Sequence, residues 1–262
     1  MSDQTKYTQK LKGSKVLIIG GSAGIGYGVA EASLENGCTV FISSSNPDRV
    51  QTAVEKLKKS YPSASDRISG HACNLADEAN LEQNIAQLFE KVGTGLDHVV
   101  HTAGDSLAVT PVGEISMESV KKAGMVRFFA PLFIGKIAPK YLNPGPASSI
   151  IITTGAVSER PIDNWTVVNS YATGLQGMTR GLALDLKPIR VNLVSPGAVN
   201  TELWGHMTAE QKEGMFKELS KKIPVGKVGS VEDVAESYLY LMKDRNVTGA
   251  MISTSGGHLL VG

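Results

Sequence analysis

An apolar run that leads directly into a glycine-rich turn and a helix is the feature that most constrains this fold. Lys15 to Ile19 is rich in β-branched residues, which predicts a buried strand. The turn from Gly20 to Gly26 reads Gly-Gly-Ser-Ala-Gly-Ile-Gly, and a helical pattern continues to about Asn36. Small residues let a phosphate approach the backbone, and a helix N-terminus offers it unpaired N–H groups. The order of strand, turn and helix therefore predicts a nucleotide-binding α/β unit.

The alternation of strands and helices continues along the chain. Further strands are predicted at 39–43, 68–72, 96–101, 149–153, 190–195 and 250–254, and the longest helices at 116–142 and 166–186. Buried strands separated by helices predict a doubly wound, Rossmann-like parallel sheet in a three-layer α/β/α arrangement. No linker or repeat divides the chain, so residues 1–262 are predicted to form one domain. The stretch from Val199 to Gly229 breaks the alternation and is a candidate lid over a ligand.

Composition narrows the partners that this chain can have. The 262 residues carry a net charge of +1, which gives no electrostatic reason to expect nucleic acid or a membrane. Two cysteines are too few for a disulfide framework, and the polar start from Met1 to Lys12 does not look like a signal peptide. The five histidines, His206 among them, lack metal-ligand spacing. We expect a cytoplasmic protein that binds a small-molecule substrate and no metal.

The residues after the second strand bear on the choice of nucleotide. An NAD site normally ends this strand with Asp or Glu, which binds the ribose 2′-hydroxyl. Here the chain reads Ser43-Ser44-Ser45-Asn46, with Arg49 one turn later. Hydroxyls, an amide and a guanidinium can bind a 2′-phosphate that a carboxylate would repel. NADP(H) is therefore favoured over NAD(H), although Ser45 and Asn46 fit a solvated turn and a helix cap equally well.

Three further motifs accompany the glycine turn: His101-Thr102-Ala103-Gly104, Ser195-Pro196-Gly197 and Gly256-Gly257. Together they resemble the short-chain dehydrogenase/reductase family over nearly the whole chain. The resemblance implies a nicotinamide cofactor and a homotetramer or homodimer built on the two long helices. The cofactor-binding residues that these patterns indicate are Gly20, Ser22, Ala23, Gly24, Ile25, Gly26, Ser43, Ser44, Ser45, Asn46, Arg49, Asn74, Leu75, Thr102, Ala103, Gly104, Pro196, Gly197, Val199 and Thr201.

The proton-delivery residues usual in that family are missing. Its long helix usually carries Tyr-x-x-x-Lys, with an Arg eight residues after the Lys. Counting back from Arg180 places Ala172 at the lysine position and Val168 at the tyrosine position. The usual Ser falls near Thr153 and Thr154. The usual Asn of the preceding helix falls near Arg127. All four positions therefore differ from the family pattern.

Tyr171 is the nearest substitute for the missing tyrosine. It lies three residues beyond the usual position, and the residue four further on is Leu175 rather than a cation. A phenol with a pKa near 10 and no cationic neighbour is a poor acid or base at neutral pH. A packed side chain is the alternative interpretation of Tyr171.

Two explanations account for an intact cofactor turn beside a missing relay. The first is reduction of an imine or iminium, because an iminium that accepts a hydride becomes a neutral amine without a proton from the enzyme. The second is a catalytically inactive, dinucleotide-binding scaffold. A carbonyl reductase that uses Tyr171 is a third alternative.

The candidate catalytic residues are Asp163, Arg127, Thr154 and Tyr171. Asp163 is a candidate to hold a cationic substrate or, alternatively, to cap the following helix, and Trp165 is a candidate to stack on a flat one. Arg127 could pair with a buried carboxylate such as Asp163, or support a subunit interface. The segments around Arg127 and Asp163 resemble a divergent fungal branch of the family. That branch contains the reductase/Diels–Alderases of malbrancheamide and paraherquamide biosynthesis, and it implies NADPH-dependent reduction of an iminium.

Overall fold

Seven parallel strands form one sheet in the order β3-β2-β1-β4-β5-β6-β7. The computed structural model describes residues 3–205 and 207–261, so His206 lies outside the described residues. The strands are β1 (Lys15–Ile19), β2 (Thr39–Ser44), β3 (Ile68–Ala72), β4 (His98–His101), β5 (Ser149–Thr153), β6 (Arg190–Pro196) and β7 (Met251–Thr254). Each neighbouring pair in this order runs parallel. The predicted doubly wound sheet is confirmed.

Helices cover both faces of this sheet. They are α1 (Gly24–Glu35), α2 (Pro47–Ser60), α3 (Leu81–Val92), α4 (Met117–Gly124), α5 (Ala130–Ile137), α6 (Thr166–Asp185), α7 (Ala209–Lys222) and α8 (Val231–Lys243). Alternate residues of β1 enter different cores, because successive strand side chains point to opposite faces. Val16 and Ile18 pack in one buried cluster, whereas Leu17 and Ile19 pack in the other. The three-layer arrangement follows from these two cores.

The helix predicted over 116–142 is interrupted, so the expectation of one continuous helix was wrong. A π-helical segment, Met125–Phe129, joins α4 to α5, and a 3₁₀ turn, Ala138–Lys140, follows α5. Pro131 has no backbone N–H and so cannot make the usual α-helical hydrogen bond to the carbonyl four residues before it. The Ala130 N–H bonds to the Met125 carbonyl, five residues back, as in a π-helix. The segment Met125–Phe129 carries Arg127, so this irregularity sets the position of a candidate site residue.

The candidate lid, residues 199–229, is a loop whose two ends lie close together. Val199 and Gly229 form an isolated parallel bridge, and the chain between them contains a 3₁₀ turn, Glu202–Trp204, and α7. The Trp204 and Phe216 rings pack edge to face with centroids 6.1 Å apart. These two aromatic side chains therefore pack against each other within the segment.

Two features bear on the partners of this chain: membrane-spanning helices and side-chain clusters that could hold a metal ion. None of the helices between residues 3 and 205 or between 207 and 261 is long and apolar enough to cross a membrane. The same ranges contain no cluster of three or more His, Cys, Asp or Glu side chains arranged to hold a metal ion. Cys38 and Cys73 are both buried and free.

Candidate active site

The glycine-rich turn lies at the carboxyl end of β1, beside β4, where the strand order reverses direction. Gly20 has a φ of +99°, a conformation that favours glycine, and its N–H and that of Gly21 both bond to the Ser43 carbonyl. A Cβ on Gly26 would lie 2.2 Å from the Gly20 carbonyl oxygen and 2.4 Å from Thr102 Oγ1. The turn, the start of α1 and the end of β4 are therefore packed without room for side chains.

The start of α1 fits a bound pyrophosphate. The N-cap, Ala23, is extended and makes no side-chain bond to the helix, and no acidic residue occupies the first turn. Gly24 has a φ of +52°, and a Cβ there would lie 3.2 Å from the Thr201 side chain. The Glu202 carboxylate lies beside the same point, with Oε2 3.4 Å from that Cβ position. The structure thus brings the turn and the segment after β6 together at a helix N-terminus that suits an anion, and Glu202 has to turn away when a pyrophosphate binds there.

The end of β2 supplies hydroxyl, amide and guanidinium groups. The Asn46 side chain accepts a hydrogen bond from the Arg49 N–H at 2.9 Å, which confirms its role as helix cap. Arg49 Nη2 donates to Ser45 Oγ at 3.4 Å, so the guanidinium lies against the serine run. Ser43 is fully buried, and its hydroxyl has no partner among the described residues. These groups fit the ribose 2′-phosphate of NADP(H) better than the ribose 2′-hydroxyl of NAD(H).

The other predicted cofactor residues are spread over the same edge of the sheet. The backbone N–H groups of Thr102 and Ala103 both bond to the Ile19 carbonyl, which ties the end of β4 to the end of β1. Leu75 is buried, and Asn74 Oδ1 accepts from the Ala76 N–H at 3.0 Å.

The segment after β6 contributes the remaining predicted residues. At the end of that strand Pro196 is paired with Thr254, whose carbonyl also accepts the Gly197 N–H. Val199 is buried, and its carbonyl accepts Trp204 Nε1 at 2.8 Å. These contacts place the segment on the same carboxyl edge as the glycine turn.

A cavity of about 90 Å³ opens beside this edge, next to the ends of β4 and β5. Its lining residues are Ser106, Leu107, Ala108, Ala123, Arg127, Thr153, Thr154, Gly155, Val157, Val168, Tyr171, Ala172 and Leu175. Sites for drug-sized ligands usually measure roughly 300–1,000 Å³, so a large substrate requires the covering loops to move. The lining contains neither a lysine nor a carboxylate.

The two positions of the missing relay lie on this cavity wall. Val168 and Ala172 both line it from α6, as the spacing from Arg180 predicted. The Thr154 hydroxyl donates to the Ala172 carbonyl at 2.9 Å, and Thr153 Oγ1 donates to the His101 carbonyl at 2.7 Å. The second bond to Thr153, also 2.7 Å, comes from the Tyr238 hydroxyl. Both threonine hydroxyl protons therefore bond to backbone carbonyls.

Tyr171 is packed in an aromatic cluster. Its hydroxyl donates to the Val120 carbonyl at 3.0 Å. Its ring centroid lies 5.0 Å from that of Phe128 and 6.0 Å from that of Phe129. Burial raises the pKa of Tyr171 above its ordinary value. A phenol that is harder to ionise and already bonded to a carbonyl fits the packed interpretation better than the catalytic one.

Arg127 and Asp105 form an ion pair at the cavity wall. Arg127 Nε lies 3.1 Å from Asp105 Oδ1, and Arg127 Nη2 also donates to the Asp105 backbone carbonyl. Burial lowers the pKa of Arg127 from its ordinary value, and the Asp105 carboxylate opposes that shift. The guanidinium stays charged at any pH at which the protein is folded. The carboxylate partner of Arg127 is thus Asp105 rather than Asp163.

Asp163 lies outside the cavity wall, on the exposed loop that follows β5. The N-cap of α6 is Trp165, so the capping role considered for Asp163 is not observed. The adjacent Asn164 has a φ of +63°, and its carbonyl accepts the Thr110 N–H at 3.0 Å. This bond joins the loop after β5 to the loop after β4.

Sequence reasoning missed Asp105 and the apolar wall formed by Leu107, Ala108 and Val157. Asp105 directly follows the motif that ends in Gly104, and that proximity was the available signal. The wall residues carry no chemical signature in sequence, because only the approach of the loops after β4 and β5 brings them to the cavity.

A parallel sheet of this order, with a glycine turn after β1 and a cavity at the carboxyl ends of β4 and β5, defines a dinucleotide-binding α/β protein. The SDR-like Rossmann domain family matches residues 7–261. The chain therefore belongs to the short-chain dehydrogenase/reductase family of oxidoreductases.

Fungal relatives resemble the chain over almost its full length. Short-chain dehydrogenase/reductase fsr5 of Gibberella fujikuroi is 44% identical over 264 residues, which cover 99% of this chain and 100% of the relative. Short-chain dehydrogenase/reductase malC of Malbranchea aurantiaca is 39% identical over 258 residues, 95% of this chain and 96% of that protein. These similarities confirm the predicted resemblance to a fungal branch of the family.

Solved structures also resemble the chain over nearly its full length. The structure of MalC reductase/Diels–Alderase from Malbranchea aurantiaca matches with a TM-score of 0.91 at 37% identity, covering 98% of this chain and 100% of that one. A small-chain dehydrogenase crystallised with NADPH matches with a TM-score of 0.78 at 26% identity, covering 95% and 100%. The fold is therefore that of solved family members, one of them holding NADPH.

Proposed function

We propose that this chain is an NADPH-dependent reductase whose substrate is an imine or iminium of natural-product type. The observation that carries this proposal is the pair of apolar residues, Val168 and Ala172, on the cavity wall where the family usually presents tyrosine and lysine. Reduction of a ketone creates an alkoxide that needs a proton, whereas hydride transfer to an iminium yields a neutral amine directly. A neutral imine belongs to the second case once water has protonated its nitrogen, because the cation then accepts the hydride. A site without a well-placed acid therefore fits the second reaction.

The cofactor part of the proposal is supported by the donors after β2 and by relatives solved with NADPH. When bound, NADPH supplies a hydride. The chain's own residues provide the helix N-terminus for the pyrophosphate, and Ser45 and Arg49 for the 2′-phosphate. The absence of a carboxylate from the Ser43–Asn46 run removes the group that would repel that phosphate.

The cavity wall can accommodate a cationic substrate although no carboxylate is among its lining residues. Arg127 carries a positive charge towards the cavity, but Asp105 lies 3.1 Å away and neutralises it. Tyr171 lines the cavity together with apolar side chains, which puts an aromatic ring within reach of a bound iminium. We further propose that the exposed carboxylate of Asp163, beside the loop that covers the cavity, attracts cationic substrates electrostatically.

An assay with matched electrophiles tests the reaction. We expect the protein to consume NADPH with the 1,2-dimethyl-1-pyrrolinium cation and not with 2-methylcyclopentanone, a ketone of similar size. Consumption of the ketone alone would favour a carbonyl reductase. NADPH binding without turnover of either compound would favour the inactive scaffold.

Substitution of Tyr171 by phenylalanine separates the packed role from the catalytic one. We expect kcat/KM for the iminium to change less than about threefold, because the hydroxyl is bonded to Val120. The loss of that bond should lower the free energy of unfolding by about 1 kcal/mol. A fall in kcat/KM of about a hundredfold or more, with the fold intact, would instead make Tyr171 the acid.

Arg49 provides the test of nucleotide choice. In Arg49→Ala we expect the Kd for NADPH to rise about 10- to 100-fold, since a hydrogen bond to a charged group contributes about 1.5–3 kcal/mol. The Kd for NADH should stay unchanged, because NADH lacks the 2′-phosphate. Fluorescence titration of both nucleotides measures this, and equal weakening of both would contradict the assignment.

We also propose that the chain assembles as a homodimer or homotetramer. Leu132 on α5 and Leu184 on α6 are 45% and 70% exposed, which leaves apolar surface on the two helices that the family resemblance assigns to subunit contacts.

A further inference from the structure

The backbone carbonyl of Val126 occupies an unusual position in the π-helical segment. In an α-helix it would accept the N–H of Ala130, four residues later, but that N–H bonds to the Met125 carbonyl. In the π-helical register its donor would be residue 131, five residues later, which is Pro131 and has no N–H. Within the described structure, neither register therefore supplies Val126 with a backbone donor.

The side chain of His101 supplies this hydrogen bond instead. Its Nε2 lies 3.0 Å from the Val126 carbonyl oxygen, and because a carbonyl only accepts, Nε2 carries the proton. Burial lowers the pKa of His101 to about 4, a direction that the Val126 bond opposes and the Arg127 charge reinforces. The ring is therefore neutral near pH 7. Its Nδ1 has no partner among the described residues, so the bond to Val126 is what orients the ring.

The imidazole is attached to a rigid part of the fold. His101 is the last residue of β4, where its backbone pairs with Ile19 on β1 and with Ile152 on β5. Its carbonyl accepts the Thr153 hydroxyl at 2.7 Å, and its side chain is buried. The centre of the sheet thus fixes the ring, and the ring fixes the distance between β4 and the Val126 carbonyl.

The register of the π-helical segment decides which of its side chains face the cavity. Arg127 lines the cavity, whereas Met125 and Phe129 line a different groove, beside α3. Successive residues of a helix point about 100° apart, so a change to the α register turns the residues before and after the segment by about that angle relative to one another. The observed orientation of Arg127, including its ion pair with Asp105, therefore depends on the π register.

We propose that His101 is a positioning residue for the active site. Its Nε2–H replaces the N–H that Pro131 lacks and holds Met125–Phe129 in the π-helical register, which keeps Arg127 on the cavity wall. His101 is not among the described residues that line the cavity, so it acts through the segment and not on the substrate. The effect on catalysis rests on the proposed function, whereas the effect on the segment does not.

Hydrogen–deuterium exchange of the protein tests the hold on the segment without requiring turnover. His101→Met keeps a long buried side chain but loses the donor, so we expect the amides of residues 126–134 to exchange about tenfold faster or more. His101→Gln keeps an N–H donor and should stay within about threefold of the wild type. Equal exchange in the two variants, whether fast or slow, would overturn the inference.

His98→Met is the matched control. His98 is buried on the same strand, but its ring bonds to the Ser149 hydroxyl at 2.9 Å and not to the π-helical segment. Exchange in residues 126–134 is divided by exchange in β1, so that a general loss of stability cancels. This ratio should rise in His101→Met and stay within about threefold of its wild-type value in His98→Met. An equal rise in both would refute a specific role for His101.

Pro131→Ala tests the physical reason for the role. It provides a backbone N–H five residues after Val126, the donor that a π-helix would use. We expect the double variant His101→Met, Pro131→Ala to recover most of the protection that His101→Met loses. A folded double variant without recovery would contradict the inference. If His101→Met does not fold, folding of the double variant is the supporting result, and failure of both to fold would refute the inference.

Turnover separates this inference from the proposed function. With NADPH saturating, kcat/KM for the 1,2-dimethyl-1-pyrrolinium cation should fall about tenfold or more in His101→Met and stay near the wild-type value in His101→Gln. An unchanged kcat/KM in a His101→Met protein whose segment exchanges fast would refute the positioning role.

The two proposals fail in different ways. The expected exchange results, without reduction of the pyrrolinium by the wild type, would leave the hold on the segment standing and refute the reductase. Reduction by the wild type, together with equal exchange in His101→Met and His101→Gln, would do the reverse.

Discussion

Replacement of Gly26 by alanine is expected to abolish NADPH binding and to lower the free energy of unfolding by about 3 kcal/mol. The added methyl group would lie 2.2 Å from the Gly20 carbonyl oxygen and 2.4 Å from Thr102 Oγ1. Neither the backbone of the turn nor the end of β4 can move away without breaking the bonds that join β1, β2 and β4. Fluorescence titration with NADPH and urea denaturation measure the two effects.

Gly214→Ala is the matched control for this substitution. Gly214 lies within α7, and a Cβ there would have no heavy atom within 4 Å in the described structure. The same chemical change should therefore raise stability by about 0.5–1 kcal/mol and leave the Kd for NADPH unchanged, because alanine favours helix over glycine. A Gly26→Ala protein with ordinary stability and ordinary NADPH affinity would show that the turn is not packed as described.

The protein is expected to lose stability steeply as the pH falls below about 6. His98 and His101 are buried on β4, and burial lowers the pKa of His98 to about 3 and that of His101 to about 4. In the unfolded chain both should titrate near their ordinary value of about 6.5. Between these values the unfolded state binds more protons than the folded state, so acid favours unfolding.

The slope of this dependence can be measured for each histidine. Each should contribute about 1.4 kcal/mol per pH unit between about pH 5.5 and 4.5, to be checked by urea denaturation at several pH values. His98→Asn and His101→Gln keep a donor towards Ser149 and the Val126 carbonyl, their respective partners. Each variant should lose its share of the slope. An unchanged slope in both would show that other groups dominate the acid response.

The fold could be predicted from sequence because its determinants are local. β1, the glycine turn and α1 follow one another along the chain, and their patterns of apolar and small residues identify each element. Gly20 adopts the positive φ that such a turn requires, and Asn46 caps α2, which was one of the roles considered for it. The spacing from Arg180 likewise placed Val168 and Ala172 at the site, because a helix fixes the face on which each residue lies.

The contacts of the candidate site could be predicted from the sequence less completely than the fold. The pairing of Arg127 depends on a π-helical segment and on how the loop after β4 packs against it, whereas the sequence pattern predicted a regular helix over 116–142. Tyr171 could be placed on its helix from sequence, but its hydrogen bond to Val120 depends on how α4 packs against α6. Asp163, a clear candidate by residue type, lies on an exposed loop outside the cavity wall.

The sequence by itself determined the order of strands and helices, the glycine turn and the loss of the tyrosine–lysine relay. Each of these depends on residues that are neighbours in the chain or on one helix. Only the tertiary structure decided that Asp105 neutralises Arg127, that Tyr171 is packed, and that Asp163 lies outside the cavity wall. Hydrogen bonds between distant segments depend on distances of a few tenths of an ångström, which three-dimensional packing sets and residue spacing does not encode.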